Sequence, residues 1–281
     1  MTARQSPTVR RRRLGLELRR LRETAGFTIE RVAESLECSD SKISRIETGQ
    51  VGATPRDVRD MLELYGVSSE QRDGLVQIAR EAREKGWWHA YGDVHISAYI
   101  GFEAAAASIR TFEALAVPGL LQTTAYARAA IQAARPNLGT DELERWAELR
   151  MARQKLLTQE DPPALWAVLD EAVLRRPVGG PEAMREQLHH LTEATRSPKA
   201  TIQVLPFAAG AHAGMSGAFT IFRFPESADP DVVHLENATS DLYLERPDEI
   251  QRYTRAFDHL SATALDAEGS FAWLTGLAKE L

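Results

Sequence analysis

Apolar residues recur at helical spacing near the start of the chain. Leu14, Leu18, Leu21 and Ala25 form one stripe, with Arg19, Arg20 and Arg22 between them. That period belongs to a helix with one buried face, and Gly26 stops it. Thr28 predicts the N-cap of a second helix reaching Leu36, with Ile29, Val32, Ala33 and Leu36 turned inward. After a turn at Glu37-Cys38, Ser39 caps a third helix over residues 39–48, whose apolar pair is Ile43 and Ile46. Gly49 closes it. Pro55 opens a fourth helix that ends at Gly66, and a fifth runs from Ser69 towards Lys85. Five short helices with tight turns predict a small all-α domain over residues 1–85.

The pattern changes at Gly86-Trp87-Trp88-His89, where residues 86–96 read as a joint and the two tryptophans as its packing. Beyond it, residues 97–281 mix the two periods, which predicts a larger α+β domain. Helical stretches fall at 97–107, 124–135, 141–159, 181–195, 247–265 and 270–281. Short strands fall at 164–169, 201–206, 218–224, 231–235 and 242–244. Residues 108–114 fit helix and strand equally, and Pro118-Gly119 forces a turn.

Charge sharpens this division. The 281-residue chain has a net charge of −6, yet residues 1–50 carry eleven Arg or Lys against seven Asp or Glu. A basic first segment on an acidic body suits a polyanion partner at one end only. The run Arg10-Arg11-Arg12-Arg13 leads into the first helix and fits contact with phosphates. The single cysteine, Cys38, forms no internal disulfide and reads as a small buried apolar group. The longest apolar runs fall short of the ~18 residues of a membrane span, and no apolar stretch follows the basic start as in a secretory leader. The cytoplasm is therefore the expected location.

The second and third helices must cross steeply around a tight turn. Ala33 supplies the small residue at their approach, and Val32, Ile43 and Ile46 hold them together. The outer face of the third helix then carries Asp40, Ser41, Lys42, Ser44 and Arg45, a face that can enter a major groove. At these residues the chain resembles the lambda-repressor-like, xenobiotic-response-element type of helix-turn-helix regulator, most closely over Lys42-Ile43-Ser44-Arg45-Ile46-Glu47-Thr48-Gly49. The resemblance covers about residues 10–66. It implies double-stranded DNA as partner, base contacts from Asp40, Ser41 and Arg45, and phosphate contacts from Ser39, Lys42 and Ser44 with Thr28 beside them. Where that family often has a phosphate-contacting Gln, this chain has Ile29. The resemblance also implies an internal ion pair between Arg22 and Glu47, and binding as a homodimer.

Stretches of the second half resemble the C-terminal domain of antitoxin-like bacterial regulators. They include Val117-Pro118-Gly119-Leu120-Leu121, Leu169-Asp170-Glu171-Ala172 and Gln203-Val204-Leu205-Pro206-Phe207. This implies a sensory, partner-binding or dimerisation role, with a small acidic protein encoded nearby as a partner. The alternative is an antitoxin-type protein-binding module whose DNA binding serves autoregulation. The chain lacks a phosphate-binding Gly-rich motif, a His-Glu-x-x-His pattern, a Gly-x-Ser-x-Gly elbow and a Cys-x-x-Cys pair, so neither catalysis, a metal nor a cofactor is expected. Glu171, His212 and Glu236 are the candidate ligand or partner residues, with the glycine-rich loop 210–217 as a cover.

Overall fold

A computed structural model of the protein describes residues 6–91, 97–226 and 229–281. The chain divides into two compact units, Met1–Ala105 with Glu226–Asp229, and Ala106–Pro225 with Pro230–Leu281.

The first unit is helical. Helix α1 spans Pro7–Thr24; the Ser6 hydroxyl accepts from the Val9 amide at 3.3 Å, and Pro7 takes the first helical position, where its missing N–H costs nothing. Helices α2 (Ile29–Ser35), α3 (Asp40–Glu47), α4 (Pro55–Leu64) and α5 (Ser69–Glu81) follow. Thr28, Ser39, Thr54 and Ser68 each cap the helix they precede through a side-chain oxygen, so four helix starts are written locally in the sequence. Leu14, Leu18, Val32, Ala33, Ile43, Ile46, Val58, Met61 and Leu62 form the buried core. Cys38 and Ile29 pack partly against it.

One close approach is sterically decisive. A Cβ on Gly15 would stand 2.5 Å from the Ile46 carbonyl oxygen and 2.6 Å from that of Glu47. Only a glycine lets α1 lie so tightly on the end of α3. After α5, a 3-10 turn over Trp87–Tyr91 buries Trp88 to 3% exposure and leaves Trp87 at 44%. Helix α6, Ser97–Ala105, packs on α1. There a Cβ on Gly101 would meet the Thr8 hydroxyl, and the Arg12 guanidinium sits 5.8 Å from the Phe102 ring centroid. The sequence reading groups residues 97–105 with the larger domain, whereas this packing places α6 in the first compact unit.

The second unit holds a six-stranded sheet in the order β3-β2-β1-β4-β5-β6. Its strands are β1 (Ser108–Glu113), β2 (Ala164–Asp170), β3 (Ala200–Leu205), β4 (Phe219–Arg223), β5 (Val232–Glu236) and β6 (Asp241–Leu244). β1, β2 and β3 run parallel, and β4, β5 and β6 are antiparallel to their neighbours. The ambiguous stretch 108–114 is thus a central strand, settled by pairing with β2 on one side and β4 on the other. Helices α7 (Thr124–Ala134) and α8 (Thr140–Gln154) connect β1 to β2, while α9 (Glu171–Arg175) and α10 (Pro181–Ala194) connect β2 to β3. α8 ends at Gln154, shorter than the reading to residue 159, because a 3-10 turn at Lys155–Leu157 takes over.

Helix α11 (Pro247–Thr263) covers one face of the sheet. Its Phe257 and Leu260 pack with Phe112, Val168, Leu205, Phe219, Ile221 and Val233. Helix α12 (Ala267–Glu280) packs on α10 and β3, and the Ser270 hydroxyl accepts from the Val204 amide at 3.0 Å.

Candidate nucleic-acid interface

The turn between α2 and α3 is tight enough to need a left-handed residue, Glu37 at φ 49°. Ser39 then starts α3, its hydroxyl accepting from the Lys42 amide at 3.2 Å. Ile43, Ile46 and Glu47 are buried, which leaves Asp40, Ser41 and Arg45 exposed and Ser44 half-buried on the outer face. Arg45 lies back along the helix with its Nε donating to the Ser41 carbonyl at 3.3 Å, a long bond that a better acceptor can replace. Thr28 is exposed at the start of α2, where its hydroxyl accepts from the Arg31 amide.

Lys42 is not free. Its ammonium donates to Asp57 Oδ1 at 2.8 Å, and the two charges stabilise each other, raising the Lys42 pKa and lowering that of Asp57. Asp57 also accepts from the Thr54 amide and hydroxyl, at 3.0 and 2.7 Å, in the capping box of α4. The recognition face is thereby joined to the cap of a second helix.

Arg22 and Glu47 meet. Arg22 Nε donates to Glu47 Oε1 at 2.7 Å and Nη2 to Oε2 at 3.0 Å, with side-chain exposures of 9% and 3%. Arg22 Nη1 also donates to the Phe27 carbonyl at 2.8 Å. This bidentate fork ties α1, the loop before α2 and the end of α3 into one rigid piece.

The arginine cluster lies inside α1 instead of ahead of it. Because α1 already begins at Pro7, Arg10 to Arg13 stand on a helix and radiate in four directions. Arg10 pairs with Glu81 at 3.2 Å, and Arg12 is buried to 4% exposure beside Phe102.

In the second unit, Glu171 follows β2, His212 lies in the loop region between β3 and β4, and Glu236 ends β5. Glu171 accepts from the Phe207 amide at 2.9 Å and from Arg175 Nε at 2.5 Å. It shares no hydrogen bond or ion pair with His212. His212 instead stands 3.7 Å from Asp170 Oδ2, and its Nδ1 accepts from the Gly214 amide at 3.2 Å. Glu236 is exposed at the end of β5.

The sequence reading missed Glu113, the last residue of β1. Its carboxyl accepts from the Thr111 hydroxyl at 2.9 Å. Burial pushes its pKa up to about 8; the Thr111 bond and Arg150 oppose the rise, and the nearby Glu236 adds to it. Its i, i+2 spacing from Thr111 was the available signal. Leu115 and Met215, 71% and 74% exposed, lie on loops, and Phe207, 59% exposed, begins the 3-10 turn Phe207–Ala209 after β3, at this same end of the sheet. Ligands of open α/β sheets commonly bind outside the carboxyl ends of the parallel strands.

Among the described residues no group of three or more His, Cys, Asp or Glu is placed to hold a metal, and no helix is long and apolar enough to cross a membrane. Residues 13–75 match the family model of a helix-turn-helix domain, and residues 96–276 match that of a domain of unknown function, DUF5753. No curated protein and no solved structure matches the chain.

Proposed function

The chain belongs to the DUF5753 family and carries a helix-turn-helix domain ahead of that region, and from this premise we propose that it is a sequence-specific transcriptional regulator reading the major groove with α3. The observation that carries this reading is the outer face of α3, where Asp40, Ser41 and Arg45 are exposed while Ile43, Ile46 and Glu47 anchor the helix from behind. A helix so held reaches base edges at little cost in conformational entropy. Arg45 is the base reader, since its guanidinium can donate two bonds to guanine O6 and N7. Ser39, Ser44 and Thr28 are the phosphate contacts in this reading, and Lys42 joins them on leaving Asp57. Two copies binding adjacent half-sites fit this class of domain.

The test is a mobility-shift titration against DNA from the protein's own promoter region, with scrambled DNA as control, at two salt concentrations. Specific affinity falls steeply with salt as counterions are released. Arg45→Ala costs about 1–3 kcal/mol and relaxes preference at one base pair. An equal loss on every sequence would instead assign Arg45 to the phosphates.

The C-terminal half serves as the regulatory body. Its ligand or protein partner docks at the carboxyl end of β1 and β2, near Glu113, Asp170 and His212, on the side where Leu115, Phe207 and Met215 are exposed. Apolar side chains with a few polar groups among them are the usual make-up of such a site. Leu115→Ser with Met215→Ser abolishes the response to the partner while operator affinity without the partner stays unchanged.

A further inference from the structure

The first unit contains a cleft of about 410 Å³ between the first turns of α1 and the segment Ala82–His89 that follows α5. It is formed without α3. Arg11, Arg83, Lys85 and His89 line it, with Glu84 as the one acidic side chain in the lining. Glu84 lies 3.9 Å from Arg10.

Two buried donors at this cleft lack acceptors. Arg11 Nε and Trp88 Nε1 are both closed to solvent and have no hydrogen-bond partner. Trp88 is only 3% exposed and its indole edge is held in place by Gly86, whose Cβ, if present, would clash with it. Buried N–H groups without acceptors are costly, and native chains rarely leave them so. Burial also lowers the Arg11 pKa, which marks a guanidinium stripped of water without a carboxylate in return. An anion in the cleft would supply the missing charge, and it would supply both missing acceptors once the Arg11 and Trp88 side chains turn their closed N–H groups towards it.

We propose that this cleft binds a phosphate group, with Arg11 and Trp88 Nε1 as the inner donors and Arg83 and Lys85 at the mouth. Three cations and one further donor match a doubly charged oxyanion better than a single carboxylate, because Arg presents paired donors to phosphate oxygens. The cleft exceeds one phosphate ion and falls in the range of small-molecule sites. It accepts the phosphate of a small metabolite or one from a nucleic-acid backbone, and the experiment distinguishes them.

The full-length protein is labelled with nitrogen-15, and the Trp88 indole resonance is assigned with Trp88→Phe. It is then titrated with inorganic phosphate, with a 12-base-pair duplex lacking any operator, and with chloride at matched ionic strength. The expected result is a saturable downfield shift of the Trp88 Nε1–H resonance with phosphate and no response to chloride. A shift with the duplex alone assigns the group to a DNA backbone phosphate. Arg83→Ala with Lys85→Ala, both exposed and outside the core, weakens the phosphate response at least about ten-fold, roughly the 1.4 kcal/mol lost with one charge-assisted bond. No shift with either phosphate source, or an equal shift with chloride, overturns the proposal. So does an unchanged affinity in the double variant. None of these outcomes depends on whether α3 finds an operator.

Discussion

Single residues decide the first unit's geometry where the chain passes closest to itself. Gly15 sits within an 18-residue helix, where alanine is ordinarily better by about 1 kcal/mol. Here the order reverses, because an added methyl would press on the carbonyls of Ile46 and Glu47. Gly15→Ala destabilises the protein by about 1–3 kcal/mol, measurable by urea denaturation; a stabilised variant would show that α1 and α3 are not held at this distance. Glu113 argues from charge instead of volume. Its carboxyl, ordinarily near 4.5, is raised to about 8, so the folded state keeps a proton that the unfolded chain has released. Its contribution is therefore favourable at low pH and lost as pH rises from about 4.5 through about 8. By this linkage, wild-type stability falls across that window more steeply than that of Glu113→Gln. Melting temperatures of both proteins at pH 5 and pH 8.5 check this, and parallel declines would remove Glu113 as the cause.

At the scale of elements, α3 and α4 share an ion pair that a phosphate contact from Lys42, on the proposed reading, would have to break. Asp57 holds Lys42 at 2.8 Å while it completes the capping box of α4. A lysine that reaches phosphate must first leave a carboxylate. Asp57→Asn keeps a capping oxygen and removes the competing charge, so it raises affinity for any duplex and makes the salt dependence steeper by about one phosphate contact. A titration at several salt concentrations reads both. Unchanged slope and affinity would mean that Lys42 stays on α4 in the complex. α3 and its caps were legible because cap residues, glycine stops and apolar spacing act within a few positions of one another. Thr28, Ser39 and Pro55 each sit where their local chemistry placed them. The stretch 108–114 was not legible, since its own pattern fits two periods and only pairing with β2 and β4 chooses between them.

For the molecule as a whole, family and packing divide the chain differently. The DUF5753 match begins at residue 96, whereas the compact units part at Ala105. α6 belongs by descent to the second region and by packing to the first unit, through Gly101 against Thr8 and Phe102 beneath Arg12. A fragment of residues 1–105 therefore melts higher than one of residues 1–85, which loses Trp88 and α6 together. Circular dichroism melts of the two fragments decide it, and equal melting points would make α6 irrelevant to the first unit's stability.

The sequence alone determined the helix-turn-helix and the mixed character of the larger half. It also pointed to the residues on the outer face of α3, since helical period, caps and turn glycines are short-range properties. Tertiary structure alone decided that Arg10 pairs with Glu81 and that Arg12 is buried beside Phe102. It alone set His212 facing Asp170, and brought Glu113 near Glu236. Each of these depends on residues far apart in the chain arriving at one place, and burial and charge act through that proximity, which no local pattern encodes.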